Sequence, residues 1–147
     1  MKDTQVVIAA GTTHARFSLF DANVSAASDL DLEVYNAAGA LVGASGTATS
    51  NEEVNLANPA PGTYTVRVVG FATPNNAAVN FTLFSWLLGS TAAGNMTVTA
   101  PANATSGASG TINLVFNGLT AGVKYLGSVV YGGDPAVPPP TIVRVNP

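Results

Sequence analysis

Short runs of apolar or alternating residues, each bounded by Gly, Pro or Asn, recur about every ten residues along the chain. Helical periodicity is absent, and alternation with a period of two indicates strands that bury one face. Closely spaced short strands separated by turn residues are typical of an antiparallel sandwich. The sequence therefore predicts an all-β, antiparallel β-sandwich fold.

The boundaries of these runs predict eleven strands, more than one small sandwich needs. The strands are Gln5–Ala9, His14–Phe20, Leu30–Asn36, Leu41–Ser45, Glu52–Leu56, Gly62–Val69, Ala78–Leu88, Asn95–Ala100, Gly110–Phe116, Lys124–Tyr131 and Thr141–Val145. Gly132–Pro140, before the last strand, is rich in proline and is expected to form a stiff polyproline loop.

Two segments repeat one turn pattern. In Asn58–Tyr64 and in Leu119–Tyr125, a tight turn containing Gly is followed by a Tyr that enters a strand. A tyrosine corner has this appearance in the sequence of a sandwich domain. Between the segments lies a linker of small residues, Gly89–Gly94. We therefore expect two sandwiches, residues 1–90 and a smaller one at 91–147 packed on the first.

The predicted strand Ala78–Leu88 is apolar on both faces. Phe81, Leu83 and Leu87 fall on one face, and Phe84, Trp86 and Leu88 fall on the other. A sheet with one solvated face would carry polar residues on one of these sets. The second face is therefore either covered by the C-terminal half, which we favour, or exposed as a binding patch.

Composition excludes several classes of function. Of 147 residues, 47% are hydrophobic, enough for one ordinary core or two small ones, and only 9% are charged, which is typical of secreted domains. The absence of Cys excludes disulfides, thiolate metal sites and thiol redox chemistry. A net charge of −3, with the few cations scattered, argues against a nucleic-acid partner.

The ends of the sequence predict an exported protein without a membrane anchor. Met1–Thr4 has no apolar leader segment, and no later stretch has the ~18 apolar residues of a spanning helix. An initiator Met directly before a strand pattern, and an end at Pro147 directly after one, suggest a piece of a longer exported protein. We expect no membrane partner.

The segment Ser28–Asn36 alternates apolar and acidic residues. This sends Leu30, Leu32 and Val34 inward, and Asp29, Asp31 and Glu33 outward along one face. Hard cations such as calcium favour clusters of oxygen ligands, and Asp21 and Asn23 in the preceding loop would add two more. The alternative, which we favour, is a solvated charged face that deters edge-to-edge aggregation.

Catalytic residues are scarce in this sequence. The single histidine, His14, lies inside a strand pattern, and the chain has no Gly-x-Ser-x-Gly nucleophile motif. Glu52 and Glu53 are adjacent on a strand and so point to opposite faces, which argues against a glycosidase pair. We expect that the protein is not an enzyme.

Ser28–Asn36, Gly39 and the turn and strand at Pro61–Val68 make the chain resemble the bacterial pre-peptidase C-terminal domain family over roughly residues 1–90. Asn95–Asn146 resembles the fibronectin type III-like segment of secreted subtilisin-like peptidases. The resemblance implies a jelly-roll-like sandwich followed by a small fibronectin- or immunoglobulin-like module, both secreted by a bacterium.

The resemblance also implies a role. Such domains are non-catalytic appendages of hydrolases, and relatives such as the collagen-binding domains of bacterial collagenases bind calcium and collagen. Asp29 and Asp31 match as calcium ligands and Tyr64 as the corner tyrosine, whereas only Asp3 matches the acidic segment that precedes the first strand in those relatives.

Three functions remain open from the sequence. The first is a non-catalytic accessory module of a secreted bacterial subtilisin-like peptidase, whose partner is the parent catalytic domain and which aids folding, secretion or substrate holding. The second is an independent binding module for collagen or an insoluble polysaccharide, acting through Tyr35, Phe71 or Trp86. The third is a structural module that assembles through free strand edges.

Overall fold

The computed structural model describes residues 1–133 and 137–147, so part of the predicted proline-rich loop, residues 134–136, lies outside the described residues. Within them the chain is all-β, as predicted, and forms eleven strands. The strands are β1 (Lys2–Ile8), β2 (His14–Ser18), β3 (Asp29–Tyr35), β4 (Leu41–Ser45), β5 (Glu53–Ala57), β6 (Gly62–Ala72), β7 (Phe84–Leu88), β8 (Met96–Thr99), β9 (Asn113–Phe116), β10 (Tyr125–Val129) and β11 (Thr141–Val145). Two single-turn 3-10 helices occupy Asp21–Asn23 and Pro74–Asn76.

The chain divides into two compact units, Met1–Ser90 and Thr91–Pro147. The first unit has a four-stranded sheet in the order β1-β6-β3-β4 and a three-stranded sheet in the order β5-β2-β7. Every pairing in these sheets is antiparallel. No helix in the described parts of the chain is long and apolar enough to cross a membrane.

The core of the first unit lies between its two sheets. The predicted alternation of β3 is confirmed, because Leu30, Leu32 and Val34 are at most 2% exposed while the acidic residues between them are partly exposed. On β2 of the opposite sheet, Ala15 and Phe17 are fully buried. Side chains from the two inner faces thus form one apolar layer, as in other sandwiches.

The predicted strand Ala78–Leu88 is wrong over its first half, since β7 begins only at Phe84. The backbone before it bonds instead to the loop after β2: Ser25 donates to the Asn80 carbonyl at 2.8 Å, and Thr82 donates to the Asn23 carbonyl at 3.1 Å. Phe81 and Leu83 still pack against the core. The apolar residues of this segment therefore reflect packing against the core. They do not indicate a strand, because the segment's hydrogen bonds do not continue the sheet.

Tyr64 forms the corner that the sequence predicts. Its ring is 5% exposed, and its hydroxyl donates to the Ala60 carbonyl at 3.0 Å. This bond ties the turn before β6 to the core, as tyrosine corners do.

The second unit consists of two hairpin-like pairs, β8 with β9 and β10 with β11. Here the Tyr125 hydroxyl accepts a hydrogen bond from the Thr120 N–H at 3.0 Å. The second unit, like the first, therefore has a tyrosine whose hydroxyl bonds to the turn before its strand. Among the apolar residues described in this unit, Val129, at 7% exposed, is the one that is buried.

Candidate functional site

The outer face of the three-stranded sheet combines polar and aromatic side chains. Arg16 on β2 lies opposite Asn55 on β5 and Trp86 on β7. Directly opposed residues of antiparallel strands point to the same face, and this face is opposite to that of the buried Ala15. We call the following five residues the tryptophan face: Arg16, Glu53, Asn55, Phe84 and Trp86.

The polar half of the tryptophan face is a connected network of hydrogen bonds and one ion pair. Arg16 Nε donates to Asn55 Oδ1 at 2.6 Å, and its guanidinium lies 3.2 Å from a Glu53 oxygen. Asn55 Nδ2 donates to Glu53 Oε1 at 2.9 Å, and His14 Nε2 lies 3.1 Å from Asn55 Oδ1. The Arg16 side chain is only 13% exposed. These contacts hold the donors and acceptors in place before any ligand binds.

The aromatic half lies on β7. The Phe84 and Trp86 rings stack with centroids 5.8 Å apart and an interplanar angle of 14°, and Phe20 meets Phe84 edge-on at 5.3 Å. Phe84 and Trp86 are both half-buried. A planar apolar surface beside ordered polar groups can stack on a flat ligand and hydrogen-bond to its edge.

Tyr35 and Phe71, the other two predicted binding residues, lie on the four-stranded sheet and so do not join Trp86. The Tyr35 hydroxyl donates to Glu33 at 2.6 Å, which raises the pKa of Tyr35, and the Arg67 guanidinium lies 5.1 Å from its ring centroid. Arg67 in turn makes a two-bond contact with Asp3, at 2.8 and 2.9 Å. Phe71 is 74% exposed near the end of β6.

Asp21, one of four predicted calcium ligands, already binds the chain. One of its carboxylate oxygens accepts the Ser50 N–H at 2.8 Å, and the other accepts the Asn51 side-chain amide. The Asn51 oxygen completes the contact by accepting the Asp21 N–H at 3.1 Å. Asp21 therefore fastens the loop after β2 to the loop before β5.

The other predicted ligands do not form one cluster. Asp29 lines the same cavity as Asp21, about 660 Å³ in volume, whereas Asn23 lines a different one. Oδ1 of Asp29 and Oδ1 of Asn23 are both buried without a hydrogen-bond partner among the residues that the structure describes. Over residues 1–133 and 137–147, no group of three or more His, Cys, Asp or Glu could hold a metal ion.

Asp31 lies apart from the Asp21–Asp29 cavity. The Asp31 carboxylate lies next to Gly46, at the end of β4. A Cβ atom added to Gly46 would be 3.1 Å from an Asp31 oxygen. Burial raises the pKa of Asp31, and the nearby carboxylates of Asp29, Glu52 and Glu33 raise it further.

Glu52, which the sequence offered only as one half of a discounted glycosidase pair, is a buried carboxylate. It is 1% exposed and accepts bonds from Ser45 Oγ and from both the N–H and the hydroxyl of Thr47. The one signal in the sequence was its adjacency to Glu53, which sends one of the two acids inward. Its role is to hold the turn between β4 and β5.

Residues 3–70 match the family model of the bacterial pre-peptidase C-terminal domain.

The pre-peptidase C-terminal match spans β1 to Gly70 in β6 and so includes Asp29, Asp31 and the Tyr64 corner. It supports the resemblance seen in the sequence for most of the first unit, and this family consists of non-catalytic accessory domains typical of secreted peptidases. No curated protein matches the chain. Trp86 and all of the second unit lie beyond the matched residues.

Proposed function

We propose that the chain is a non-catalytic accessory module of a secreted bacterial subtilisin-like peptidase, and that it holds substrate for the parent catalytic domain. The observation that carries substrate holding is the tryptophan face, where the Phe84–Trp86 stack lies beside the ordered Arg16–Asn55–Glu53 network. Under this proposal residues 91–147 form the fibronectin type III-like module that follows the pre-peptidase C-terminal unit.

The substrate class follows from the chemistry of this face. Proline rings and the flat faces of sugars stack on aromatic side chains, and backbone carbonyls or hydroxyls bond to Arg and Asn. Collagen offers proline rings and carbonyls in an extended polyproline-type chain, so a collagenous substrate fits a peptidase appendage. An insoluble polysaccharide would instead make the chain an independent binding module.

The test is co-sedimentation of the full chain with insoluble collagen, chitin and cellulose. We expect selective pelleting with collagen, lost in Trp86→Ala and weakened in Asn55→Ala. Phe71→Ala is the matched control, because it removes an exposed aromatic ring from the other sheet. Circular dichroism checks that each variant is folded.

Either of two results would refute substrate holding by this face. One is pelleting that Phe71→Ala abolishes and Trp86→Ala leaves intact. The other is the absence of pelleting with every polymer, which would leave folding or secretion assistance as the role of the module. Pelleting with chitin or cellulose alone would favour the independent binding module.

We also propose calcium as a ligand of the cavity that Asp21 and Asp29 line. The observation that favours it is the buried Asp29 Oδ1, which has no hydrogen-bond partner within residues 1–133 and 137–147. A buried carboxylate oxygen is costly unless a cation or a donor contacts it. Asp21 and Asp29 would hold the ion, with backbone carbonyls and water completing its oxygen shell. Asp31 and Asn23 are not part of this site.

A further inference from the structure

The first unit is closed along one side and open along the other. On one side β4, the edge strand of one sheet, lies against β5, the edge strand of the other. On the other side β1 and β7 are the edge strands of their sheets. The core is therefore unequally covered at its two sides.

The side chains of the open side show this directly. The pairing with β6 places Lys2, Thr4, Val6 and Ile8 on the core-facing side of β1. Ile8 is 1% exposed, Thr4 and Val6 are half-buried, and Lys2 is exposed, so cover decreases toward the start of the strand. Core-facing Leu87 on β7 is likewise 40% exposed.

β1 also lacks a β-bulge and a proline, two of the features that protect edge strands, and Lys2 is the charge on its core-facing side. Its seven residues pair with β6 in an unbroken register. At the opposite edge, the β3–β4 pairing shifts register between Val34 and Tyr35. A long, regular edge strand offers a row of backbone groups to an added strand.

A groove adjoins this edge. It has a volume of about 770 Å³, within the usual range of ligand sites. Its accessible apolar lining includes Phe81 and Leu83, its polar lining includes Thr4 and Asn80, and Lys2 is the charged side chain among its lining residues. Asp3, the acid next to Lys2, is already paired with Arg67 on the outer face. The groove therefore has a mixed lining, with apolar side chains beside polar ones and a positive group at its β1 side.

We propose that this open edge binds an extended segment of another polypeptide, which pairs with β1 as an added strand. Alternate side chains of that segment enter the groove beside Phe81 and Leu83, and an acidic side chain lies near Lys2. Backbone pairing supplies affinity and the groove supplies selectivity, as in other cases of strand addition. This site is separate from the tryptophan face and does not depend on the function proposed for it.

The test uses the full chain and two fluorescein-labelled synthetic heptapeptides of alternating Thr and Val, which differ in carrying Glu or Lys at one position. Fluorescence anisotropy should show that the Glu peptide binds about fivefold more tightly than the Lys peptide. Lys2→Glu should reverse this order, and Lys2 is exposed, so the change spares the core. Ala78→Trp, which fills the groove, should weaken both peptides at least about tenfold.

Amide hydrogen exchange separates strand addition from simple occupation of the groove. Added Glu peptide should slow exchange at β1 residues and leave the tryptophan face unchanged. Trp86→Ala should bind both peptides as tightly as the parent chain does. Peptide binding at β1 is therefore tested independently of substrate holding by the tryptophan face.

Three outcomes would overturn the proposal: equal affinity for the two peptides in every variant, groove binding without protection of β1, or dimers in light scattering that Ala78→Trp disperses. The last would assign the edge to a second copy of the chain.

Discussion

Thr47 makes two hydrogen bonds to the Glu52 carboxylate, one from its backbone N–H at 2.8 Å and one from its hydroxyl at 2.6 Å. Ser45 Oγ adds a bond to the other carboxylate oxygen. Glu52 is 1% exposed, whereas its neighbour Glu53 is exposed. Of these two adjacent acids, one therefore lies in the interior and the other at the surface.

Glu52→Gln should lower the free energy of unfolding by about 2 kcal/mol. The charge-assisted bonds become neutral ones, and the new side-chain NH2 group faces the Ser45 or Thr47 donors instead of accepting from them. Glu53→Gln is the matched control and should cost at most about 1 kcal/mol, since its ion pair with Arg16 is partly solvated. Urea unfolding followed by Trp86 fluorescence measures both. Equal losses would show that the Glu52 contacts do not stabilise the β4–β5 turn.

Tyr64→Phe should destabilise the first unit by about 1 kcal/mol, because it removes the bond to the Ala60 carbonyl and leaves the ring in the core. Tyr131→Phe is the control: the Tyr131 hydroxyl meets Thr141 at 2.7 Å at an exposed site, where water replaces the lost bond. Calorimetric melting temperatures compare the two. A neutral Tyr64→Phe would mean that the corner depends on the packing of the ring alone.

The inward and outward sets of β3 were predictable because period two is a local property that burial enforces. Leu30 and Leu32 follow it without exception. The Tyr64 corner was predictable for a similar reason, since the turn and the tyrosine lie four residues apart. Both features depend on residues near one another in the chain.

The site geometry depends on distant partners and could not be read in this way. Asp21 is fixed by Ser50, 29 positions away, and by the neighbouring Asn51, so both of its carboxylate oxygens accept hydrogen bonds from the loop before β5. Arg16 meets Asn55 and Trp86 only once three separate strands have paired in register. Sequence spacing alone contains no information about such pairings.

Calcium should raise the melting temperature of the parent chain, and Asp29→Asn should abolish that increase, because it neutralises the carboxylate with the unpartnered oxygen. Asp31→Asn is the control and should keep the increase, since Asp31 is outside the Asp21–Asp29 cavity. Differential scanning calorimetry with EDTA and with calcium measures the shift. An increase of the same size in Asp29→Asn would place the ion elsewhere.

The pH dependence of stability should differ in sign between Asp31 and Asp3. The pKa of Asp31 is raised in the folded state, first by burial and then by Asp29 and other carboxylates, so the folded state holds this proton more tightly than the unfolded state. Its ionisation therefore opposes folding, and the penalty develops as pH rises above the ordinary aspartate pKa of about 3.9. Asp31→Asn should raise the melting temperature at pH 7 and have little effect at pH 3.

Asp3 is the control of opposite sign. The hydrogen bond from Arg67 lowers the pKa of Asp3, so its contribution to stability is present above the ordinary pKa and is lost as pH falls through the lowered one. Asp3→Asn should therefore lower the melting temperature at pH 7, by an amount that shrinks in acid and in high salt, because this pair is exposed. Melting curves of both variants from pH 3 to pH 7 test the pair. Shifts of the same sign in both variants would show that net charge, rather than these local contacts, governs the acid response.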